Sequence, residues 1–322
     1  MFDDMTGVIL FKGANNKLSE TFDGMKVTQI LQKMFTLSLE NALNMFNKLP
    51  FVTALGLNKQ VNEFRRLQNA LKNIIKNEYQ KRYNQKALDD KCVLDIMIGL
   101  NKESEKETGK PKFSMKEIAS TCELFQLAAS DTSFHYSSTG LCYLALEENQ
   151  KYQQRLAEEI QGTLGDNPEY SSEELSALKD LELVFKETGR MGKSAASLLD
   201  RWVTKDFDLC GIRINKGDRI RHYLINYQPE YYKDPFKFNP DRHDVDSAEF
   251  DKVPKLRKTP FSFGQRSCIG RYLGEMVVKL VIVEFLKEFE ISVEKGYRMI
   301  MRMVLIYGVA NPELILKLRR PL

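Results

Sequence analysis

Apolar residues recur at spacings of three and four along the first two-thirds of the chain, a period that predicts amphipathic α-helices. In segment 58–86 the apolar positions are Val61, Phe64, Leu67, Leu71, Ile74 and Ile75. The polar run 101–111 interrupts the pattern and predicts an exposed loop. Ser114 and Glu117 then have the spacing of a capping box, and the helical pattern after them extends to about Leu146.

Two further amphipathic stretches precede residue 191. The first spans Asn149–Leu164 and ends at Gly165, a suitable residue for closing a helix. The second starts with the capping box of Ser171 and Glu174 and is predicted to run as one helix through Arg190.

The last third of the chain shows short alternating segments instead. Segments 208–214 and 219–225 flank residues 215–217 (Asn-Lys-Gly), which predicts a hairpin with its turn at these three residues. Residues 228–260 predict irregular chain, and a final helix is predicted over 269–289, before a strand-like tail. The fold class is therefore mainly α with small β-sheets (α+β), in one domain.

The composition, 43% hydrophobic and 29% charged, supplies enough apolar surface for a packed core and argues against a disordered chain. A net charge of +4, spread along the sequence, does not favour a nucleic-acid-binding surface. The longest apolar stretch, Met276–Leu286, is interrupted by Lys279 and Glu284 and is shorter than the ~20 residues that span a bilayer. Asp3 and Asp4 occupy positions where a signal peptide carries positive charge. As given, the chain is expected to be soluble.

The cysteines and histidines argue against two common kinds of site. Five cysteines form no CxxC pair and are odd in number, so a disulfide framework is not expected. The three histidines lack the spacing of metal ligands, so a structural zinc site is not expected either.

The segment with the most specific chemistry is FSFGQRSCIG, residues 261–270. Its single cysteine, Cys268, lies between Gly264 and Gly270, which let the backbone turn tightly and approach a flat ligand. Backbone N–H groups at the start of the following helix favour a thiolate, and Arg266 supplies a permanent cation suited to a carboxylate. A lone cysteine is more often a buried, inert thiol, but the full pattern favours a ligand.

This segment resembles the haem-binding signature of the cytochrome P450 superfamily, with Phe261, Gly264, Arg266, Cys268 and Gly270 at the matching positions. Four more segments match the superfamily in the right order: 128–133 (AASDTS) resembles the oxygen-binding motif of its central helix, 187–190 its ExxR motif, 197–217 its following sheet segment and 234–243 the stretch ending in its PERF motif. The resemblance covers nearly the whole chain from about Lys112 and implies the cytochrome P450 fold.

The resemblance assigns a haem b cofactor and the residues that hold it. Cys268 would be the metal ligand, whose thiolate donates electron density that promotes O–O cleavage. Arg266 and Arg201 would pair with the haem propionates. The other haem-binding positions are Phe261, Gly264 and Gly270.

The resemblance also assigns two catalytic residues, Asp131 and Thr132, inside the long central helix. Taken alone, the pair reads as a local cap or a solvent-facing polar pair. In the superfamily reading, Thr132 bonds back to a carbonyl, loosens the helix over the haem and helps deliver protons to dioxygen, while Asp131 orients that network. Ala129 occupies a position where the superfamily often has glycine.

Glu187 and Arg190 lie on one helix face, and the resemblance adds Arg242 as the third member of a network that steadies the haem loop. These residues are expected to be structural. Two departures from the superfamily pattern are Gly189, which is unfavourable inside a helix, and His243, which replaces an aromatic residue.

The implied function is a haem-dependent monooxygenase that inserts one oxygen atom of O2 into an apolar small molecule, with electrons from a redox partner. The start of the final helix, CIGRYLGEM, is similar to microsomal members. It implies NADPH–cytochrome P450 reductase as the donor, and the cytosolic face of the endoplasmic reticulum membrane for the full-length protein.

The superfamily has a long region before the first matched stretch, so we expect a truncated sequence that lacks the N-terminal portion of the fold and the membrane anchor. Its parts would be a helical distal-side region (1–111), the central helix through the ExxR helix (112–190), the sheet segment and meander (191–260) and the haem loop with the last helix and strands (261–322). On its own this partial domain is expected to be soluble or aggregated, and to bind little haem.

Two alternatives remain open. A haem-thiolate isomerase or dehydratase would need no external electrons, and the Asp131–Thr132 pair argues against it. The other alternative is an inactive fragment that keeps a relic haem loop.

Overall fold

The computed structural model describes residues 21–26, 29–30, 33–34, 36–37, 58–84, 92–192, 200–221, 226–247, 250, 260–262, 264–303 and 307–319. The chain divides into two compact units, Met1–Asp131 and Thr132–Leu322. Across the described helices, no segment combines the length and the apolar character needed to cross a bilayer. The architecture is mainly α with small antiparallel sheets, as the sequence predicted.

Among the described residues, the complete elements of the first unit are three helices and a small hairpin. Its elements are strands β1 (Thr21–Phe22) and β2 (Met25–Lys26), which pair antiparallel, and helices α1 (Lys59–Tyr83), α2 (Val93–Thr108) and α3 (Met115–Ala145), whose second half belongs to the other unit. The core contains the fully buried side chains of Leu67, Leu71, Ile75, Leu94, Ile98 and Ile118. The apolar stripe read from segment 58–86 therefore faces this core, and the predicted helix is confirmed.

Side chains cap the N-termini of two predicted helices in this unit. The Asn58 side chain accepts the N–H of Val61 at 3.0 Å, which starts α1. Ser114 and Glu117 exchange bonds in both directions at the start of α3, so the predicted capping box is confirmed.

The loop predicted at 101–111 is wrong, because α2 continues to Thr108 and ends at Gly109, whose φ of 72° closes the helix. Lys and Glu are good helix formers, so the polarity of this run marks an exposed helix face. The Asn101 side chain fixes the chain that follows, because it accepts the N–H of Phe113 at 2.7 Å and donates to the Phe113 carbonyl at 3.0 Å.

The second unit is also mainly helical. Besides the rest of α3 it contains α4 (Gln150–Leu164), α5 (Ser172–Ala177), α6 (Lys179–Met191) and α7 (Arg271–Glu288). Helix α7 packs against α4, α5 and α6. Buried apolar residues on these helices include Leu156, Ile160, Leu181, Val184, Val278 and Ile282.

The single helix predicted over 171–190 is wrong in one respect, because Leu178 is extended and separates α5 from α6. Leu178 is fully buried, and the Glu159 carboxylate of α4 accepts the N–H groups of Asp180 and Leu181 at 3.0 and 3.2 Å. The start of α6 is therefore capped from a neighbouring helix. The capping box before α5 is confirmed.

The described strands of this unit form two-stranded antiparallel sheets. They are β3 (Asp200–Trp202), β4 (Phe207–Leu209), β5 (Ile212–Ile214), β6 (Arg219–Arg221), β7 (Phe289–Ser292), β8 (Met301–Met303), β9 (Tyr307–Val309) and β10 (Ile315–Leu318). The pairs are β3 with β6, β4 with β5, β7 with β10 and β8 with β9.

The hairpin predicted with its turn at 215–217 is wrong. The hairpin of β4 and β5 turns at Cys210 and Gly211, whose φ angles are 50° and 83°. Gly217 does adopt a positive φ, but its N–H donates to the carbonyl of Val203 at 2.8 Å and directs the chain back to β3. The turn signal at 215–217 was thus assigned to the wrong strand pair.

A buried glutamine joins α4 to β7. The Gln153 amide donates to the carbonyls of Leu144 and Ile291, at 2.9 and 2.8 Å, and its oxygen accepts the N–H of Ile291 at 3.0 Å. The polar atoms of this buried side chain are therefore paired with backbone.

Candidate functional site

The loop between residues 261 and 270 closes on itself through backbone hydrogen bonds. The N–H of Cys268 donates to the Phe261 carbonyl at 2.9 Å, and the N–H of Ser267 donates to the Gly264 carbonyl at 3.0 Å. Gly264 has a φ of +73°, and no atom lies within 4 Å of the position that a Cβ would take. The requirement for glycine here is therefore conformational rather than steric.

The loop leads directly into α7. Gly270 is the N-terminal capping residue of that helix, and its carbonyl accepts the N–H of Gly274 at 2.7 Å. A Cβ at Gly270 would lie 3.9 Å from the Cys268 Sγ. The cysteine is exposed, so its thiol is accessible at the start of the helix.

The surroundings of this thiol fit a flat apolar group with acidic edges. Ile269 and Tyr272 are 86% and 84% exposed, which leaves apolar surface beside Cys268 without a protein cover. Arg266, in the same loop, is also exposed, and its guanidinium is suited to a carboxylate. A thiolate donor, adjoining apolar surface and a nearby cation together match the chemistry of haem ligation.

The structure brings the predicted loop residues Phe261, Gly264, Arg266, Cys268 and Gly270 together. The remaining predicted site residues lie on other elements. Arg201 is on β3, exposed, and donates to the carbonyl of Asp200 at 3.3 Å. Thr132 is exposed on α3, while the side chain of the preceding Asp131 lies outside the described part of the structure. The roles of Arg201, Asp131 and Thr132 stay predictions.

Glu187 on α6 is the centre of a buried charged cluster. Its carboxylate accepts two parallel bonds from Arg190, both 2.8 Å, and one from the Nε of Arg242 at 3.2 Å. The Asn239 N–H donates to it at 2.8 Å. Glu187 is fully buried and both arginines are nearly so, hence this network is more than a surface ion pair.

The two arginines also bind irregular backbone. Arg190 donates to the carbonyls of Asn226, Pro235 and Lys237 at 2.8, 2.7 and 3.1 Å. Arg242 donates to the carbonyl of Lys233 at 3.0 Å. The cluster therefore holds described chain between residues 226 and 242 against α6.

Sequence reasoning missed a fourth partner of Glu187. The Nε2 of His243 lies 2.8 Å from the Glu187 Oε2, and both side chains are buried. Burial alone would raise the pKa of Glu187, but bonds from Arg190 and His243, with their charges, lower it to about 2. The sequence showed only that an aromatic residue was replaced, since the contact joins residues 56 positions apart.

Comparisons with known proteins agree with this geometry. A family model described as Cytochrome P450 matches residues 4–318. The chain is 32% identical over 203 residues to "Probable cytochrome P450 9f2" of Drosophila melanogaster, covering 60% of this chain and 38% of that protein. It is 27% identical over 282 residues to "Iridoid oxidase" of Catharanthus roseus, covering 87% of this chain and 53% of that protein.

A third relative is "Cytochrome P450 3A5" of Homo sapiens, 29% identical over 223 residues that cover 69% of this chain and 43% of the human protein. The chain thus spans between about a third and about a half of the length of these curated relatives.

Proposed function

The chain belongs to the cytochrome P450 family, and from this premise we propose that the whole protein is a haem-thiolate monooxygenase in which Cys268 is the axial iron ligand. The observation that carries the proposal is the exposed Cys268 thiol, at the end of a loop closed by the bond to the Phe261 carbonyl and next to uncovered apolar surface. Bound haem would supply the activation of O2, with one oxygen atom inserted into an apolar substrate and the other reduced to water.

The protein side of the site would hold and orient the cofactor. Arg266 would pair with a haem propionate through its guanidinium, and Arg201 on β3 would do the same for the other. Gly264 allows the tight turn, and Gly270 keeps the space beside the Cys268 thiol free of a side chain.

Proton delivery is assigned to α3. We propose that Thr132 holds a proton donor near the reacting oxygen and that Asp131 orients it. Thr132 is exposed on the helix.

The electrons would come from NADPH through a cytochrome P450 reductase, and the whole protein would act at the cytosolic face of the endoplasmic reticulum membrane. Both proposals rest on the similarity of the last helix to microsomal members, and the substrate class on the family's preference for apolar small molecules.

The assignment of Cys268 as the iron ligand is tested by replacing it with serine, and a second exposed cysteine is replaced as the control. We expect Cys268→Ser, in the whole protein loaded with haem, to lose the long-wavelength carbon-monoxide band of the reduced protein, because a hydroxyl does not replace the thiolate as donor. The matched control is Cys210→Ser, which changes the other described exposed cysteine, in the turn between β4 and β5. A Cys268→Ser protein that keeps the band would contradict the proposed function.

A further inference from the structure

Three aromatic rings form a column between α3, α6 and the haem loop. The rings of Tyr136 and Phe185 stack with centroids 4.9 Å apart and planes at 21°. The rings of Phe185 and Phe261 follow at 6.2 Å and 18°. Phe261 is the first residue of the haem loop, so the column links that loop to the central helix.

The hydroxyl of Tyr136 fixes the upper end of the column. It donates to the carbonyl of Phe185 at 2.7 Å. Burial, with the negative charges of Glu275 and Glu182, holds the pKa of Tyr136 well above its usual range, so the hydroxyl remains a neutral donor. The Tyr136 ring is thus held against α6 by stacking and by a hydrogen bond together.

Gly189 provides the room for this hydroxyl. A Cβ at Gly189 would lie 2.3 Å from the Tyr136 Oη, and 3.2 Å from both its Cζ and the Cβ of Pro260. The first distance is far below van der Waals contact and the added atom would meet a hydroxyl that is already bonded. A glycine that is otherwise unfavourable inside a helix therefore has a packing reason.

Phe261 fixes the lower end and reaches the iron-ligand position. Its carbonyl accepts the Cys268 N–H at 2.9 Å. Its ring lies beside α7, because a Cβ at Gly274 would be 3.8 Å from its Cε1. The residue whose ring ends the column thus also supplies the acceptor for the Cys268 backbone.

We propose that Tyr136 is a positioning residue for haem ligation. Through the column it holds Phe261, and with it the loop that contains Cys268, at a fixed position relative to α3. Thr132 lies four residues before Tyr136, one helical turn away on the same face. The column therefore ties the turn that carries the proposed proton-delivery residue to the loop that carries the proposed iron ligand. This inference rests on the proposed function.

The contact itself is tested without haem by a double-mutant cycle. We expect Gly189→Ala to lower the urea midpoint, because its Cβ collides with the Tyr136 hydroxyl, and Gly189→Ala with Tyr136→Phe to recover most of that loss. Gly162→Ala is the control, since this glycine of α4 has no atom within 4 Å of an added Cβ. A double variant whose loss is the sum of the two single losses overturns the inference.

The positioning role is tested by the reduced carbon-monoxide spectrum of the whole protein loaded with haem. We expect Tyr136→Leu to at least halve the fraction of bound haem that shows the long-wavelength thiolate band. Tyr136→Phe keeps the ring but loses the hydrogen bond to the Phe185 carbonyl, so it should lower that fraction less than Tyr136→Leu does. The control is Tyr143→Leu, which removes another tyrosine of α3 whose ring stacks on Phe238 at 4.9 Å. Equal spectral effects of the two leucine variants, or none, overturn the inference.

The two proposals fail in different ways. A thiolate band that survives Cys268→Ser removes the proposed function, whatever Tyr136 does. If the band is lost in Cys268→Ser but unchanged in Tyr136→Leu, the proposed function stands and only the positioning role of Tyr136 is wrong.

Discussion

Each unit contains a buried charged cluster, and the two clusters have opposite composition. In the first unit one cation, Arg82, lies between two carboxylates, with its Nε 2.7 Å from Glu78 and its Nη1 3.0 Å from Asp95. In the second unit one carboxylate, Glu187, lies among Arg190, Arg242 and His243. The first cluster spans 17 positions of the chain, from 78 to 95, and the second spans 56, from 187 to 243.

The difference shows what each cluster holds. The Arg82 cluster fastens α1 to α2, whose backbones are already satisfied by their own helical bonds. The spare N–H groups of Arg190 and Arg242 instead bind carbonyls of chain that lacks a helix or sheet of its own. A carboxylate can orient several cations, and each cation can bind several carbonyls, so the second cluster suits irregular chain.

The largest effect is expected from Glu187→Gln. The change leaves two buried guanidinium groups without their carboxylate, and breaking a buried pair in this way costs about 3–5 kcal/mol. The measurement is the free energy of unfolding from urea titration at pH 7. The control is Glu290→Gln, an exposed partner of Lys317, which should stay within about 0.5 kcal/mol.

The same cluster predicts a pH dependence with a definite sign. The pKa of Glu187 is lowered from its ordinary value of 4.5 to about 2, so its stabilisation is present above pH 4.5 and is lost as the pH falls towards 2. That difference corresponds to about 3 kcal/mol. In Glu187→Gln, the free energy of unfolding from urea titration should vary less with pH between pH 4.5 and 2. Parallel pH profiles of the variant and the unchanged protein would contradict the lowered pKa of Glu187.

A smaller loss, about 3 kcal/mol, is expected from Arg82→Met. It leaves Glu78 and Asp95 buried without their cation, but both lie on regular helices that persist without it. Adding Glu78→Gln and Asp95→Asn should restore most of the stability, because the uncompensated charges are then gone. If Arg82→Met alone destabilises the chain as strongly as Glu187→Gln, the contrast between the two clusters does not hold.

The smallest effect is expected from His243→Phe, which restores the aromatic residue of the superfamily pattern. It removes one hydrogen bond of Glu187 and leaves both arginines in place, so a loss of about 1 kcal/mol is expected from urea unfolding. His243→Asn, which keeps a donor side chain, is the comparison variant. A loss as large as that of Glu187→Gln would mean that His243 and not the arginines dominates the cluster.

The sequence predicted what local pattern determines. Helices α1, α3 and α4 follow from unbroken apolar periodicity with capping residues, and the haem loop follows from residues that are neighbours in the chain. Its failures have both tertiary and local causes. Leu178 interrupts a good helical pattern because Glu159 caps α6 from another element, and the turn at Cys210 requires a positive φ that cysteine rarely adopts.

In the candidate site, too, residues that are neighbours in the sequence were predictable and contacts between distant residues were not. Cys268 and the glycines around it were predicted from one contiguous motif, but no pattern joins His243 to Glu187 or Tyr136 to Gly189. Gly189 looked only unfavourable in the sequence, because a helical glycine carries no sign of the side chain that it accommodates. In the structure, the Tyr136 hydroxyl lies where a side chain at position 189 would place its Cβ.

The Gln153 amide sets an order of events during synthesis. Two of its hydrogen bonds and the bond to its oxygen involve positions 144 and 291, and residue 291 is made 138 residues after residue 153. At about 5–20 residues per second, a ribosome takes roughly 7–28 s to cover that distance. Throughout this interval the hydrogen bonds between Gln153 and strand β7 cannot form. The second unit therefore completes its packing late, when the last strands leave the ribosome.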